Sequence, residues 1–190
     1  SKPRISAACA RPFSPPFSKI KGTDNESKYL NSVAYTDSCL GAFISDFRKT
    51  PAWENTLVII TSDHGALFPG PTEINEPATY RIPMIWTGGV VKNTANINII
   101  GGQTDIIPTL VSQFGWKTDP SLFGHNLFSE PSYAFYMYDS GWGYITQYGE
   151  YFFDNAKSDF IKFSGIDDPT PGFDFAKAYL QVLHTDFLKK

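Results

Sequence analysis

What this 190-residue sequence has little of narrows its role before any motif is read. It holds two cysteines, Cys9 and Cys39, too far apart for a zinc knuckle or a Cys-x-x-Cys redox pair, and open either to pairing or to staying reduced. It has no dense lysine or arginine block, and its net charge is −3 with a pI near 5.5. That leaves no electrostatic footprint for nucleic acid or for an anionic membrane surface, so neither is an expected partner. Long hydrophobic runs are missing as well. Apolar stretches such as Leu57–Ile60 and Ile97–Ile100 fall far short of the ~20 residues a membrane-spanning helix needs. The opening residues lack the charged, apolar and small-residue order of a signal peptide, so no targeting signal is expected in the chain itself.

What is present describes a globular protein. Hydrophobic residues make up 42% and charged residues 18%, in the range of folded domains rather than disordered or fibrous chains. Aromatics are plentiful at 16%. The length suits one ordinary domain or part of a larger one.

The pattern along the chain alternates helix and strand. Ile5–Cys9 reads as a short strand, followed by "ARPFSPPFSKIKG", whose three prolines exclude regular structure. From Asn25 to Lys49, apolar residues at Tyr29, Leu30, Val33, Ala34, Leu40, Phe43, Ile44 and Phe47 follow helical spacing. Thr23 or Asp24 is available as cap, and Pro51 ends the element. Asp37, on the apolar side, is expected to be buried against a structural partner. Thr56–Thr61 is continuously aliphatic, the pattern of a strand covered on both faces in a parallel sheet. A loop of about fifteen residues, Gly65–Thr79, separates it from the apolar run Ile82–Thr87, and loops of that length tend to be functional. Asn96–Ile100 is a candidate third strand. Thr104 or Asp105 can cap a helix through Phe114. Beyond it, Tyr133–Tyr138, Tyr144–Tyr148, Tyr151–Asp154 and Asp159–Phe163 read as an antiparallel meander, closed by a helix over Phe173–Leu188. The aromatic band in this meander is better explained by a packed sheet than by a sugar-stacking platform.

Chemistry concentrates at "NTLVIITSDHG". In an open α/β sheet, ligands collect where strands end and loops diverge. Asp63 and His64 follow such a strand directly. A carboxylate and an imidazole suit a divalent cation, and Gly65 keeps side-chain bulk away from the turn. Taken alone, the same pair is equally the cap of a local turn. A complete hydrolytic centre needs further ligands and a nucleophile. Glu73, Glu76, Asp105 and His125 show no ligand spacing that would complete it.

The ordered blocks "YLNSVAYTDSCLGAFI", "NTLVIITSDHG", "YRIPMIWTGG", "TDIIPTL" and "GHNLF" together resemble the C-terminal half of the catalytic domain of the sulfatase and lipoteichoic-acid-synthase group, in the alkaline phosphatase superfamily. The resemblance runs from Ile5 to Phe128. It implies an α/β fold, with parallel strands flanked by helices over residues 1–130 and a small antiparallel subdomain with a closing helix over 131–190. It also implies metal ligation by Asp63 and His64, with Mn²⁺, Ca²⁺, Mg²⁺ or Zn²⁺ as the divalent ion. The activity implied is cleavage or transfer of a phosphate or sulfate ester, in an extracytoplasmic setting. The family nucleophile belongs to the N-terminal half. Neither cysteine here fits the sulfatase signature, since Cys9 is followed by Ala10-Arg11-Pro12. This chain is therefore expected to be a fragment with no catalytic nucleophile of its own, inactive alone and completed by the N-terminal half of its domain. Arg81, Arg11 and His125 are candidate substrate contacts. Ala10 stands where synthase-like relatives carry a histidine, which leaves Arg11 to compensate or the substrate to differ. It is also the best support for the rival reading, a non-catalytic domain binding glycans or an envelope partner.

Overall fold

The computed structural model describes residues 18–67, 69, 73–117, 123–129, 131–164, 168 and 170–189, with backbone alone for 161–164. The expected strand at Ile5–Cys9, the contact at Arg11 and the departure at Ala10 lie outside the described residues. The class is mixed α/β, as the alternating pattern implies, and the chain divides into two compact units, residues 1–95 and 96–190.

The first unit is built on helix α1 (Asn25–Phe47). Its N-terminus is capped by Asp24, whose Oδ1 accepts the Ser27 N–H at 2.8 Å, satisfying one of the amides that the first turn leaves over. Asn31, 4% exposed, clips the preceding segment to the helix. Its Oδ1 accepts the amides of Lys19 and Ile20, and its Nδ2 donates to the carbonyls of Ile20 and Ser27. All the polar capacity of that buried amide is used, so its burial is tolerated. Asp37 is exposed rather than buried, where its carboxylate needs no structural partner.

After a 3₁₀ turn at Pro51–Asn55, strand β1 (Val58–Thr61) leads through a loop and the short helix α2 (Pro77–Tyr80) to strand β2 (Met84–Thr87). The two strands pair antiparallel, Val58 with Thr87 and Thr61 with Met84, where parallel strands were expected. The connection gives the reason: a parallel neighbour needs a crossover that carries the chain back along the sheet. Here a four-residue helix lets the chain re-enter at the end it left. Nor is β1 closed on both faces. All but its last residue are half-buried, because the sheet has two strands among the described residues.

The second unit places its core in aromatics. Residues 96–100 form no strand and are mostly exposed. The backbone N–H and C=O of Ile100 bond to the Ser132 hydroxyl instead of to a ladder. A 3₁₀ turn, Gln103–Asp105, leads into α3 (Ile106–Gln113). The meander appears as β3 (Tyr133–Tyr138), β4 (Gly141–Thr146), β5 (Gly149–Asp154) and β6 (Asp159–Ser164), hydrogen-bonded in chain order. Helix α4 (Thr170–Lys189) covers one face. Trp142, Tyr144, Tyr151 and Ala176 are buried there, with Phe173 and Leu180 of the helix packed against them. On the opposite face Gly143 leaves room for the Tyr136 ring, which any Cβ at 143 would strike. Burial raises the Tyr144, Tyr133, Tyr151 and Tyr179 hydroxyls above the usual phenol range. No helix among the described residues is long and apolar enough to cross a membrane.

Candidate functional site

Strand β1 ends at Thr61, and Ser62, Asp63 and His64 follow in a bend. Three local hydrogen bonds shape it. The Ser62 hydroxyl donates to the His64 carbonyl at 2.7 Å, the His64 amide donates to Asp63 Oδ1 at 3.0 Å, and His64 Nδ1 lies 2.6 Å from the Gly65 carbonyl. A carbonyl can only accept, so Nδ1 is the donor of this contact, and in the neutral ring that makes Nε2 the nitrogen with the lone pair. A backbone acceptor on the far nitrogen is the usual way an imidazole ligand is oriented. Nε2 sits 3.8 Å from Asp63 Oδ1, a separation that two ligands with metal bonds of ~2.1 Å can share. The side chains of His64 and Asp63 are 80% and 85% exposed, so their mutual attraction contributes little to stability and both donors are accessible.

Gly65 has a role other than sparing a metal from crowding. A Cβ there would collide with the Thr79 carbonyl, so glycine is what lets the end of the long loop fold back onto the motif. Thr79 is buried and donates to the Glu73 carbonyl at 2.8 Å, and the Tyr80 hydroxyl donates to the Ile74 carbonyl at 2.7 Å. Side chains in this loop thus bond its own backbone and give the motif a fixed floor.

The antiparallel register also decides where Arg81 falls. Thr61 pairs with Met84, so the exit of β1, with Asp63 and His64, and the approach to β2, with Arg81, lie at one end of the sheet. A parallel pair would have put them at opposite ends. Arg81 is exposed, leaving its planar fork of donors open to an anionic ester.

His125 belongs to the second unit and is enclosed. Its side chain is 14% exposed, stacks on Tyr133 at 4.4 Å and lies beside Asp105, which is 2% exposed. Nδ1 is 2.9 Å from Asp105 Oδ1, and both ring nitrogens are buried with no hydrogen bond among the described residues. The Asp105 carboxylate accepts the amides of Gly102 and His125 at 2.6 and 2.8 Å, and Thr109 Oγ1 accepts the Leu127 amide at 2.9 Å. Asp105 and Thr109 thereby fasten the 123–129 segment to the start of α3. The pairing was not visible in spacing, because its partners are about twenty residues apart; the only sequence signal was two polar residues on an otherwise apolar helix face.

The donor set at Asp63 and His64 fits part of a divalent-ion site. Among the described residues no group of three or more His, Cys, Asp or Glu side chains gathers, so the pair by itself is short of a full set of ligands. An Asp-His pair at the end of a strand on a mixed α/β frame is what the described residues present here. The chain belongs to the sulfatase family, whose profile matches residues 7–116. It is 28% identical to mouse arylsulfatase K over 116 residues, which cover 56% of this chain and 21% of that protein. The dog arylsulfatase K matches at 28% over 124 residues and the human one at 25% over 123, each covering 63% of this chain and 23% of the relative. The match therefore spans about a fifth of the length of the curated relatives.

Proposed function

We propose that this chain is part of a sulfate-ester hydrolase, in which Asp63 and His64 supply two of the ligands of a catalytic divalent ion, Mn²⁺, Ca²⁺, Mg²⁺ or Zn²⁺. The observation that carries the reading is His64 itself: Nδ1 is committed to the Gly65 carbonyl, and Nε2, the nitrogen left to bind an ion, lies 3.8 Å from Asp63 Oδ1. When bound, the ion supplies positive charge to the non-bridging oxygens of the ester. Asp63 and His64 hold it at the strand end, and the loop floor under Gly65 keeps them in place. Arg81, at the same end of the sheet, offers a bidentate donor to the sulfate oxygens, with Arg11 a second candidate cation.

The nucleophile and the remaining ligands belong in this reading to the N-terminal half of the same catalytic domain, and residues 1–130 belong with that half while 131–190 form an accessory sheet and helix. The relatives' name, arylsulfatase, favours sulfate over phosphate esters; phosphoglycerol transfer has no comparable support. His125, enclosed against Asp105 and Tyr133, is left out of the substrate set. An extracytoplasmic location rests on the family resemblance. Burial of Trp142, Tyr144 and Tyr151 keeps those rings from stacking on a sugar; the support for a non-catalytic binding domain, Ala10, lies outside the described residues.

The test is turnover of an aryl sulfate by the longer parent polypeptide, with and without chelator, beside its Asp63→Ala and His64→Ala variants. Metal-dependent turnover that both variants abolish is expected. A parent that hydrolyses no aryl sulfate under any divalent ion, or variants that retain full turnover, overturns the reading.

A further inference from the structure

Four polar side chains are buried among the described residues: Asn31, Thr79, Asp105 and Thr109. Asn31, Asp105 and Thr109 each fasten a loop to a helix. Thr79, 7% exposed, fastens something else. Its hydroxyl donates to the Glu73 carbonyl at 2.8 Å, and the same carbonyl accepts the Glu76 amide at 3.0 Å, so both lone pairs of that oxygen are taken. The Thr79 amide donates to the Glu76 carbonyl at 3.1 Å, and the Tyr80 hydroxyl closes on the Ile74 carbonyl. Residues 73–80 thus form a turn tied by its own side chains. The peptide that leaves it, from Thr79 to Tyr80, is the backbone against which Gly65 packs.

That contact bears on His64. The carbonyl that receives His64 Nδ1 belongs to Gly65, and a bond at one ring nitrogen decides which of the two carries the proton of a neutral ring. A free histidine carries it mainly on Nε2, the nitrogen that must be bare if it is to meet a metal ion. The Gly65 carbonyl reverses that preference, but only while the Gly65 peptide keeps its direction. Glycine has the widest choice of backbone conformations of any residue, so the local sequence does not hold it. The Thr79–Tyr80 peptide does, from the side on which glycine has no Cβ.

We propose that Thr79 is a positioning residue for metal capture: through Gly65 it holds the neutral His64 ring with its proton on Nδ1 and the lone pair of Nε2 free for the ion. The proposal rests on the reading of Asp63 and His64 as metal ligands. Thr79 touches neither ion nor ester. Its effect is on the fraction of His64 rings ready to bind, and the apparent affinity for metal falls in proportion to that fraction. Loss of a group that supports a histidine ligand typically weakens metal binding about 10- to 100-fold.

The test uses the longer parent polypeptide, stripped of metal by chelator, labelled with ¹⁵N-histidine and held above the ordinary histidine range of about 6.5 so that the rings are neutral. Imidazole nitrogen shifts read the tautomer, and the signal lost in His64→Ala identifies His64. Mn²⁺ affinity is titrated on the same proteins through the spin resonance of the free ion. Unsubstituted protein is expected to carry the His64 proton on Nδ1. Thr79→Val, which keeps the volume and loses the hydroxyl, should move that proton to Nε2 and weaken Mn²⁺ binding about tenfold. Thr79→Ser, which keeps a hydroxyl, should return both toward the unsubstituted values. A His64 that carries its proton on Nε2 before any substitution overturns the proposal. So does an unchanged tautomer in Thr79→Val, or a Thr79→Ser protein as impaired as Thr79→Val, which would make the role one of packing. Should Thr79→Val fail to fold, Tyr80→Phe loosens the same turn at a half-buried site, and the same two measurements decide. His64→Ala separates this proposal from the reading beneath it. Where that variant weakens Mn²⁺ binding and Thr79→Val does not, the role of Thr79 falls alone; where His64→Ala binds Mn²⁺ as before, the metal-ligand reading falls, and with it metal capture, while the tautomer still decides whether Thr79 orients the ring.

Discussion

The two units of this chain use apolar residues in opposite ways. In the second, Trp142, Tyr144, Tyr151 and Phe152 are each no more than 5% exposed, and their rings interlock through stacked and edge contacts such as Trp142 with Phe153 at 5.1 Å and Phe160 with Phe173 at 3.4 Å. In the first, aliphatic strands of comparable hydrophobicity stay half-covered, and the two side chains with the most chemistry project into solvent. The contrast separates packing that is finished within the second unit, an aromatic meander under a helix, from an aliphatic sheet in the first that is half-covered among the described residues.

The sharpest break in that comparison is at Asp63 and His64. Replacing either with alanine in the parent is expected to lower aryl sulfate turnover by at least about a thousandfold, the equivalent of several kcal/mol of lost charge stabilisation. The thermal midpoint of this chain should stay unchanged, because both side chains are exposed. A variant that melted earlier would show that the pair holds the fold rather than an ion.

Stability should respond the other way round. Phe152, 1% exposed, is expected to cost about 3–5 kcal/mol on truncation to alanine. Ile85→Ala, at a site 52% exposed, should cost under about 1 kcal/mol by the area it buries. Denaturant titration of both variants checks this, and similar losses would erase the distinction between the units.

How much of this was legible beforehand divides along the same line. Local patterns were: a cap at Thr23 or Asp24, which the structure gives to Asp24, a helix that ends just before Pro51, at Phe47 rather than Lys49, and a four-strand meander with buried aromatics, its second strand starting at Gly141 rather than Tyr144. Strand direction was not. The aliphatic run Leu57–Ile60 says that a strand wants cover, but whether β2 returns parallel or antiparallel is set by how the loop folds, and that depends on Gly65 meeting Thr79. Asn96–Ile100 has strand-like isoleucines, but a strand also needs a partner edge, which its own sequence cannot supply. Asp63 and His64 were legible as a motif; that Arg81 comes to the same end was not, because it follows from the register.

Within the second unit, Asp105 tests whether polar packing carries weight beside the aromatics. Asp105→Ala leaves the amides of Gly102 and His125 without their acceptor, and each unpaired buried donor costs about 1–3 kcal/mol. Asp105→Asn, which keeps one acceptor oxygen, should recover part of that loss in the same denaturant titration. Equal losses for the two variants would mean that charge, not hydrogen bonding, is what the site uses.

Alkaline titration discriminates the units without mutation. Burial raises the hydroxyls of Tyr133, Tyr144, Tyr151 and Tyr179 above the free phenol value, so the folded state holds these protons more tightly than the unfolded chain. Their contribution to stability is full below the unfolded value of about 10 and is lost as pH rises through the folded values. The second unit should loosen in that window, visible as tyrosinate absorbance that rises later than for free tyrosine and together with loss of aromatic circular dichroism. A rise at the free-tyrosine position, with the dichroism intact, would place these rings in water.

The smallest effect belongs to the first unit at acid pH. The Ser27 amide, and after it the Ser27 hydroxyl, hold the Asp24 carboxyl below its ordinary value, so the folded helix prefers the carboxylate. A lowered value means that the stabilisation is present above the unfolded carboxyl range and fades as pH falls through the folded one. Acidification should therefore fray the start of α1 slightly; in the second unit the raised tyrosines keep their protons, and the acid response is confined to the start of α4, where the Thr170 amide holds the Asp168 carboxyl low in the same way. Asp24→Asn retains a capping oxygen but no charge, so it should keep most of the helix and lose the acid dependence. Amide exchange at Ser27 and Lys28, followed below pH 5 in both proteins, reads that difference directly, and an acid response that persisted in the asparagine variant would assign the fraying to another group.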